Sequence, residues 1–391
     1  MSKIRLAFII VLLSIMGGFC YHFLMDEEDG LLQEKPLSIR IPEDGVKTDG
    51  FGIRLFHAAM EQQPGESVLV CPAAVSDALL ELRELAELPV AEQIDKLRIS
   101  APDITHTAVP DSALLIGTDF GLNYTETAGQ SGIMRLPFKA NLPLAISLFN
   151  GTLGQQTGIS DEIIIGSELL QRNTRFIVGL CTRFSPSMEF PFLAGNSIVS
   201  EFENANGSLP QVSMMRVRAN VRYAADPEGE WEAVALLLQP NQAPEGVPMA
   251  FIGILPKRPA AQMAESLTAE QLSAIRKALA EAAPRDCCVS LPQMNWDATS
   301  QDLSPLLQKM ALNSLFDITA KNWKIADQKL GVDAVAGKIS IRLTPRQGEI
   351  GQQAKPENAA HSITFNKPFI WMISDLTTDA PAYYIGLVQN L

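Results

Sequence analysis

The chain has 391 residues, of which 31 are Lys or Arg and 44 are Asp or Glu, so its formal net charge is −13. Hydrophobic residues make up 47% and charged residues 19%, which excludes a disordered protein and a collagen-like repeat. No basic stripe is present, and an acidic chain is repelled by phosphate, so no nucleic-acid partner is expected. Five cysteines and four histidines argue against a disulfide scaffold and leave little material for a metal centre. No cofactor is expected.

The first residues of the chain predict export. Lys3 and Arg5 precede an apolar run from Leu6 to Leu24. As a helix rising about 1.5 Å per residue, this run matches a hydrocarbon core of about 30 Å. Acidic residues follow at 26–29, and this charge order places the N-terminus in the cytoplasm and the downstream chain across the membrane.

Three interpretations of this segment stay open. We favour an uncleaved membrane anchor over residues 1–24. A cleaved signal peptide needs small residues before its cut, and residues 16–20 match that pattern poorly. A lipoprotein cut before Cys20 would require a small residue where Phe19 stands. All three interpretations place the rest of the chain outside the cytoplasm.

The remaining chain divides into a linker and one domain. Residues 25–48 are polar with two prolines and are interpreted as a linker. Residues 49–391 contain no internal repeat, low-complexity tract or Gly/Ser linker, which favours a single domain.

Helical signals occur throughout this domain. Apolar residues keep helical spacing over residues 53–60 and 75–82. Thr268 with Gln271 forms a capping-box pattern, and Ser304 before a proline predicts a helix N-cap.

Strand signals concentrate in the second half of the domain. The predicted strands are 175–182, 234–239, 249–255, 369–373 and 383–388. The last two form a pair joined by a turn-rich segment. Early helices followed by many strands predict an α+β domain with largely antiparallel sheets.

Sequence signals of catalysis are weak. The chain has no Gly-rich phosphate loop, no Gly-x-Ser-x-Gly elbow and no cluster of histidines, so an enzyme is not expected. Cys287 and Cys288 are adjacent, and on a strand their side chains point to opposite faces. We therefore predict that one is in the core and the other faces outward.

The C-terminal segment has a distinctive order of motifs. The run Phe365–Phe369 has the form Phe-x-x-Pro-Phe and precedes a strand, a polar turn and a final strand. That last strand carries Gly386, Val388 and Asn390 in the form Gly-x-Val-x-Asn. This order of motifs resembles the end of a serpin. Other blocks with serpin-like sequence occur in the family's order at 51–55, 67–76, 176–192, 212–223, 248–256, 291–294 and 302–316. The resemblance extends from about Asp49 to Leu391.

This resemblance implies a serpin fold, with three mostly antiparallel β-sheets, eight or nine helices and an exposed reactive loop before Phe365. In serpins a protease cleaves this loop, which then inserts as an extra strand into the central sheet and distorts the trapped protease. The implied partner is a serine or cysteine endopeptidase of unknown identity. A monomer is expected, with the N-terminal segment as its contact with the membrane.

The hinge of the loop departs from the pattern of family inhibitors, which carry small residues there. The corresponding residues are Gly348, Glu349, Ile350, Gly351, Gln352 and Gln353. Burying an unpaired Glu or Gln costs about 1–3 kcal/mol each. Pro345 beside the hinge removes a hydrogen-bond donor. The hinge is therefore expected to insert poorly.

The loop is also short. Gly348 and Phe365 are 17 positions apart, which is several fewer than in inhibitory serpins. Counting back from Phe365 by the family's usual interval gives Glu357 and Asn358 as the predicted scissile pair.

Further departures fall beneath the place where the sheet would open. Ala74 stands where serpins usually have serine, Leu180 where they have asparagine, and Met188 where they have tryptophan. Two functions are compatible with these features. One is an exported serpin that inhibits a serine or cysteine protease by trapping, and the other is a non-inhibitory serpin-fold binding or structural protein. We predict that trapping is weak or absent.

Overall fold

The computed structural model describes residues 50–99, 111–119, 132–158, 164–243, 246–297, 301–347, 354–377 and 382–391. The α-helices are α1 (Gly50–Gln62), α2 (Pro72–Leu85), α3 (Leu88–Lys96), α4 (Leu142–Thr157), α5 (Ala260–Ser266), α6 (Ala269–Glu281) and α7 (Ser304–Lys309). The first eight strands are β1 (Val68–Val70), β2 (Asp111–Thr118), β3 (Gly132–Arg135), β4 (Phe176–Phe184), β5 (Ile198–Glu201), β6 (Gln211–Ala225), β7 (Trp231–Leu237) and β8 (Met249–Pro256). The others are β9 (Arg285–Pro292), β10 (Met294–Asp297), β11 (Gln301–Asp302), β12 (Ala334–Leu343), β13 (His361–Thr364), β14 (Phe369–Asp375) and β15 (Tyr384–Val388).

Local sequence explains where two of these helices begin. The capping box of α6 is confirmed, since Thr268 Oγ1 accepts from the Gln271 N–H (3.2 Å) and Gln271 Oε1 accepts from the Thr268 N–H (2.9 Å). The predicted N-cap of α7 is wrong by one residue, because Leu303 occupies that position. The Ser304 hydroxyl instead accepts from the Val335 N–H (3.0 Å) and so connects α7 to β12.

A six-stranded sheet has the order β10-β12-β4-β2-β3, with β11 paired to β12. Helix α4 packs on one face of this sheet, where Phe149 and Leu153 join Ile177 and Cys181 in a small apolar cluster. The opposite face, including Val178 of β4, contributes to the main core.

A nine-stranded sheet has the order β1-β15-β14-β8-β7-β6-β9-β13, with β5 paired to β6. The long strand β6 belongs to two regions of this sheet, because residues 211–221 pair with β5 or β9 and residues 222–225 pair with β7. Strands β14 and β15 form the predicted antiparallel C-terminal pair.

The α+β class and the predominance of antiparallel pairing are confirmed. Parallel ladders in the described residues join β12 to β4, β13 to β9 and β2 to β3. The described residues contain seven α-helices rather than eight or nine. The anchor at 1–24 and the linker at 25–48 lie outside the described residues. Within the described part of the chain, no helix is both long and apolar enough to cross a membrane.

Candidate functional site

The seam between β4 and β12 is a closely packed pair of parallel strands. Its register extends from Ile177 opposite Ala334 to Phe184 opposite Ile341. In the middle, Leu180 lies opposite Gly337, where an added Cβ would come within 2.6 Å of both Leu180 Cδ1 and the Leu180 carbonyl oxygen. The seam is therefore closed, and the absence of a side chain at Gly337 allows the strands to approach this closely.

A loop leaves this seam at the end of β12 and returns to the nine-stranded sheet at β13. Its N-terminal root is held by backbone hydrogen bonds. The Arg346 N–H donates to the Phe192 carbonyl (2.7 Å), and the Ala194 N–H donates to the Arg346 carbonyl (3.0 Å). The Arg346 side chain is exposed, so the main chain makes this attachment.

The predicted hinge follows this root. Gly348, Glu349, Ile350, Gly351, Gln352 and Gln353 all lie outside the described residues. Their predicted effect on insertion stays a prediction.

The C-terminal half of the loop is folded back on the protein. Ala354 is only 4% exposed, and residues Pro356–Asn358 form a single turn of 3₁₀-helix that packs against β9. Glu357, the first residue of the predicted scissile pair, is exposed, while the backbone of Asn358 ends the turn. The Ala360 N–H then donates to Asp286 Oδ2 (3.2 Å).

The loop ends where β13 joins the nine-stranded sheet. β13 runs parallel to β9, with His361 opposite Cys287. The loop therefore connects the end of a central-sheet strand to a strand of another sheet. Its two roots are fixed by hydrogen bonds of different kinds, one from backbone to backbone and one from backbone to carboxylate.

A family model described as "Serpin (serine protease inhibitor)" matches residues 118–390, which is more than half of the chain. The chain belongs to the serpin family. Among curated proteins, none matches this chain.

Solved serpin structures share its fold. A serpin-12 structure from Manduca sexta has a TM-score of 0.73 and 17% identity, and the alignment covers 88% of this chain and 98% of that one. Uncleaved ovalbumin has a TM-score of 0.74 and 14% identity, covering 88% and 100%. The native thermophilic serpin tengpin has a TM-score of 0.72 and 17% identity, covering 90% and 96%. The serpin fold predicted from the sequence is thus confirmed.

The three departures from the family pattern lie in or near the core of this serpin. Leu180 and Met188 are buried, and Ala74 is half-buried. Leu180 faces Gly337 across the seam, so an apolar contact occupies the place of the family asparagine. Met188 forms an isolated bridge with Leu238.

A small polar cluster lies beneath the seam, between α2 and β4. The Cys71 thiol, the Thr182 hydroxyl and the Tyr384 hydroxyl lie close together in the core. Neither hydroxyl makes a hydrogen bond of ordinary geometry to any described residue. Burial is the main reason that the pKa of Cys71 is raised to about 12 and the pKa of Tyr384 is raised well above its ordinary value. All three groups are therefore neutral at physiological pH.

Helix α2 also carries a carboxyl group in this region. Burial, and secondarily the charge of Glu81, raise the pKa of Asp77 to about 7. Asp77 also contributes to the raised pKa of Cys71, which places the two groups within electrostatic reach. Sequence reasoning missed this site, although two acidic residues four apart on one helix were a usable signal.

The prediction for the adjacent cysteines is half wrong. Cys287 is in the main core, as expected for one of the pair, but Cys288 on the opposite face of β9 is also fully buried. The 3₁₀ turn of the loop packs against β9, and the charge of Glu357 acts on Cys288. The loop thus lies near a side chain that is buried on the face of β9 opposite the main core.

Other features of the described part of this serpin do not form a site with the loop. No group of three or more His, Cys, Asp or Glu side chains there is arranged to hold a metal ion. A cavity of about 460 Å³ lies at the end of α1, beside α5, and is lined by His57, Glu61 and Glu265 among others. Lys309 pairs with Glu61 (3.0 Å) at this cavity.

Proposed function

We propose that this serpin is directed at serine or cysteine endopeptidases, with the loop at 344–360 as its bait, and that it traps them weakly. The observation that carries this proposal is the closed parallel seam between β4 and β12, from which the loop directly continues. Serpins are generally protease inhibitors rather than enzymes, and this supports a role directed at proteases.

The topology gives insertion a physical driving force. A loop that turns back from the end of β12 runs antiparallel to β12, and also to β4. Entering between them, it would replace one parallel ladder by two antiparallel ladders, so the loop's main chain would gain hydrogen bonds. A protease still attached to the loop would be carried along with it.

Two features oppose efficient insertion. The hinge sequence contains Glu349, Gln352 and Gln353, whose burial without partners costs about 1–3 kcal/mol each. Insertion must also separate Leu180 from Gly337, which are in tight contact. Slow insertion gives the protease time to complete hydrolysis, so most encounters would end in a cleaved serpin and a free protease.

A non-inhibitory role is the second candidate. The family includes members that do not inhibit proteases. The specific observation in its favour is the position of the predicted scissile pair in a 3₁₀ turn against β9. A peptide bond must reach the nucleophile and the oxyanion hole of a protease, and a turn packed on a sheet cannot do so without unfolding.

The decisive experiment incubates the full chain, in detergent, with a panel of serine and cysteine proteases. We expect mostly cleaved serpin and a minor SDS-stable complex. The variant Glu349→Thr/Gln352→Ala/Gln353→Ala should increase the complexed fraction several-fold, because it restores small hinge residues. Gln347→Ala, at an exposed root position, is the matched control. Complete absence of covalent complex in both the wild type and the repaired hinge would favour the non-inhibitory role.

A thermal measurement tests insertion without a trapped partner. After cleavage of the loop, the repaired hinge variant should unfold at a clearly higher temperature than its uncleaved form. Cleavage should raise the unfolding temperature of the wild type by a smaller amount. Equal gains in both proteins would show that the hinge sequence does not limit insertion.

We also propose that the protein is exported and acts outside the cytoplasm as a monomer, with residues 6–24 as its membrane anchor. The charge order around that apolar run supports this location. Membrane fractionation with size-exclusion chromatography of the detergent extract tests it. A trimmed soluble product would indicate a cleaved signal peptide instead.

A further inference from the structure

The outer face of β9 carries a preorganised carboxylate. Asp286 and Cys288 alternate with core residues and share this face. On the neighbouring strand β6, Arg218 donates from Nε to Asp286 Oδ1 (2.9 Å) and from Nη2 to Asp286 Oδ2 (2.8 Å). This bidentate pairing fixes the orientation of the carboxylate.

The C-terminal half of the loop uses that carboxylate as its attachment point. The Ala360 N–H donates to Asp286 Oδ2 (3.2 Å), immediately after the 3₁₀ turn. Because the carboxylate is ionised and already oriented by Arg218, it is a better acceptor than a neutral, mobile group.

Burial marks the extent of the contact. Ala354 is 4% exposed at one end of the segment, and Cys288 of β9, on which the charge of Glu357 acts, is fully buried. On the neighbouring strand β6, Arg218 lies opposite Cys288, and the charges of Arg216, Arg218 and Glu357 all act on the thiol. Desolvation raises the pKa of Cys288, and the charge of Glu357 raises it further. Glu357 of the loop thus lies within electrostatic reach of this thiol.

We propose that residues 354–360 form a latch, which holds the C-terminal half of the loop on the outer face of β9 and withholds the Glu357–Asn358 bond from a protease. This regulation rests on the proposed function of the loop as bait. A protease can engage only the fraction of molecules in which the latch is open, so its apparent affinity equals its intrinsic affinity multiplied by that fraction.

The latch makes Cys288 a reporter of loop position. The thiol is inaccessible while the latch is closed and becomes exposed when residues 354–360 leave β9. Alkylation of Cys288 therefore measures the opening directly, whether or not any protease is trapped. A protein that forms no covalent complex with a protease can still show slow alkylation of Cys288. The two experiments therefore test the proposed function and the latch independently.

The experiment treats the native full chain with N-ethylmaleimide and quantifies each modified cysteine by peptide mass spectrometry. In the wild type we expect Cys288 to react as slowly as Cys181, which is buried beneath α4. Ala354→Gln should accelerate Cys288 modification by about tenfold, because an amide of that size does not fit a buried alanine site. Cys181 should be unaffected.

Asp286→Ala is the second variant and should accelerate Cys288 modification by a similar factor, about tenfold, through loss of the charged acceptor. Removing this negative charge also makes the Cys288 thiol more acidic, which by itself would speed alkylation. Ala354→Gln changes no charge, so faster alkylation in that variant reports opening of the latch alone. Gln347→Ala controls for a substitution in the exposed root of the loop. Asp95→Ala removes a similar bidentate partner, from Arg83, at a position in α3.

The proposal predicts fast Cys288 modification in both latch variants and slow modification in both controls. The same variants should be cut faster within 344–360 by a non-specific protease such as subtilisin. The latch would be refuted by wild-type Cys288 reacting at the rate measured in denaturant. It would equally be refuted by rates in Ala354→Gln and Asp286→Ala that match the controls.

Discussion

The loop of this serpin has two surfaces on which it could lie, the seam between β4 and β12 and the outer face of β9. The seam is tight, with Leu180 packed on Gly337, and entering it requires two paired strands to separate. The face of β9 carries the half-buried ion pair of Asp286 with Arg218, and the loop reaches it through one turn and one hydrogen bond to Asp286.

This difference teaches that the resting position of the loop is set by accessibility rather than by the number of hydrogen bonds available. Insertion would satisfy the backbone hydrogen-bonding groups of a whole strand, but strands β4 and β12 must separate before any of these bonds can form. Docking on β9 satisfies fewer backbone hydrogen-bonding groups of the loop, but it disturbs no strand pairing. Substitutions at the seam should therefore change global stability, whereas substitutions at β9 should change the position of the loop.

The largest expected effect is that of Asp77 on helix α2. Its pKa is about 7 in the folded protein, against an ordinary value of 3.8. The contribution of the neutral carboxyl to stability is therefore complete below pH ~4 and is lost as the pH rises through ~7, which amounts to roughly 2–4 kcal/mol. Asp77→Asn should remove this pH dependence and stabilise the protein at pH 8.

Urea unfolding at pH 4, 6 and 8 tests this expectation. Glu81→Gln serves as the intermediate case, because Glu81 is the smaller of the two causes of the shift. It should remove only part of the pH dependence. A pH profile for Asp77→Asn that parallels the wild type would contradict the assignment.

The next effect concerns the closeness of the seam. Gly337→Ala places a methyl group within 2.6 Å of the Leu180 backbone and should destabilise the protein by about 1–3 kcal/mol in urea unfolding. Gly151→Ala is the matched control, because nothing lies within 4 Å of a Cβ at this site in α4. The control should gain up to about 1 kcal/mol of helix propensity. Equal changes in the free energy of unfolding of the two variants would mean that the strands at Gly337 are not tightly packed.

A smaller effect is expected at the root of the loop. Arg346→Pro removes the N–H that donates to Phe192 and should cost about 0.5–1.5 kcal/mol. Arg346→Ala keeps both backbone hydrogen bonds and should be nearly neutral, since the side chain is exposed. Denaturant midpoints of the two variants, with limited proteolysis near residue 346, measure the difference. A loss in the alanine variant as large as in the proline variant would assign the attachment to the side chain.

The smallest global effect should come from the latch. Ala354→Gln should change the free energy of unfolding by less than about 0.5 kcal/mol, because the segment can detach locally while the domain stays folded. Its loop should nevertheless be cut several-fold faster. A loss of stability comparable to that of Gly337→Ala would show that the β9 contact is part of the cooperative core.

Much of the fold follows from the sequence. Continuous apolar runs predicted β4, β8, β14 and β15, because a strand buried on both faces has no polar positions. The capping box at Thr268 predicted the start of α6, because that motif uses only neighbouring residues. The same reasoning failed at Ser304, whose hydroxyl bonds to Val335, which is distant in the chain.

The site divides in the same way. The sequence indicated the serpin family, the loop before Phe365 and the substitution at Leu180, since each is a matter of residue order. It could not indicate that Leu180 closes on Gly337, because strands β4 and β12 are more than 150 residues apart in the chain.

By itself, the sequence determined the family, the α+β architecture and the place of the loop. These depend on apolar patterning and on motifs that are contiguous in the chain. Only the tertiary structure decided that both Cys287 and Cys288 are buried, that Asp77 lies in a desolvated site and that residues 356–360 rest on β9. The physical reason is that burial is a property of what packs over a residue, and the covering segments come from distant parts of the chain.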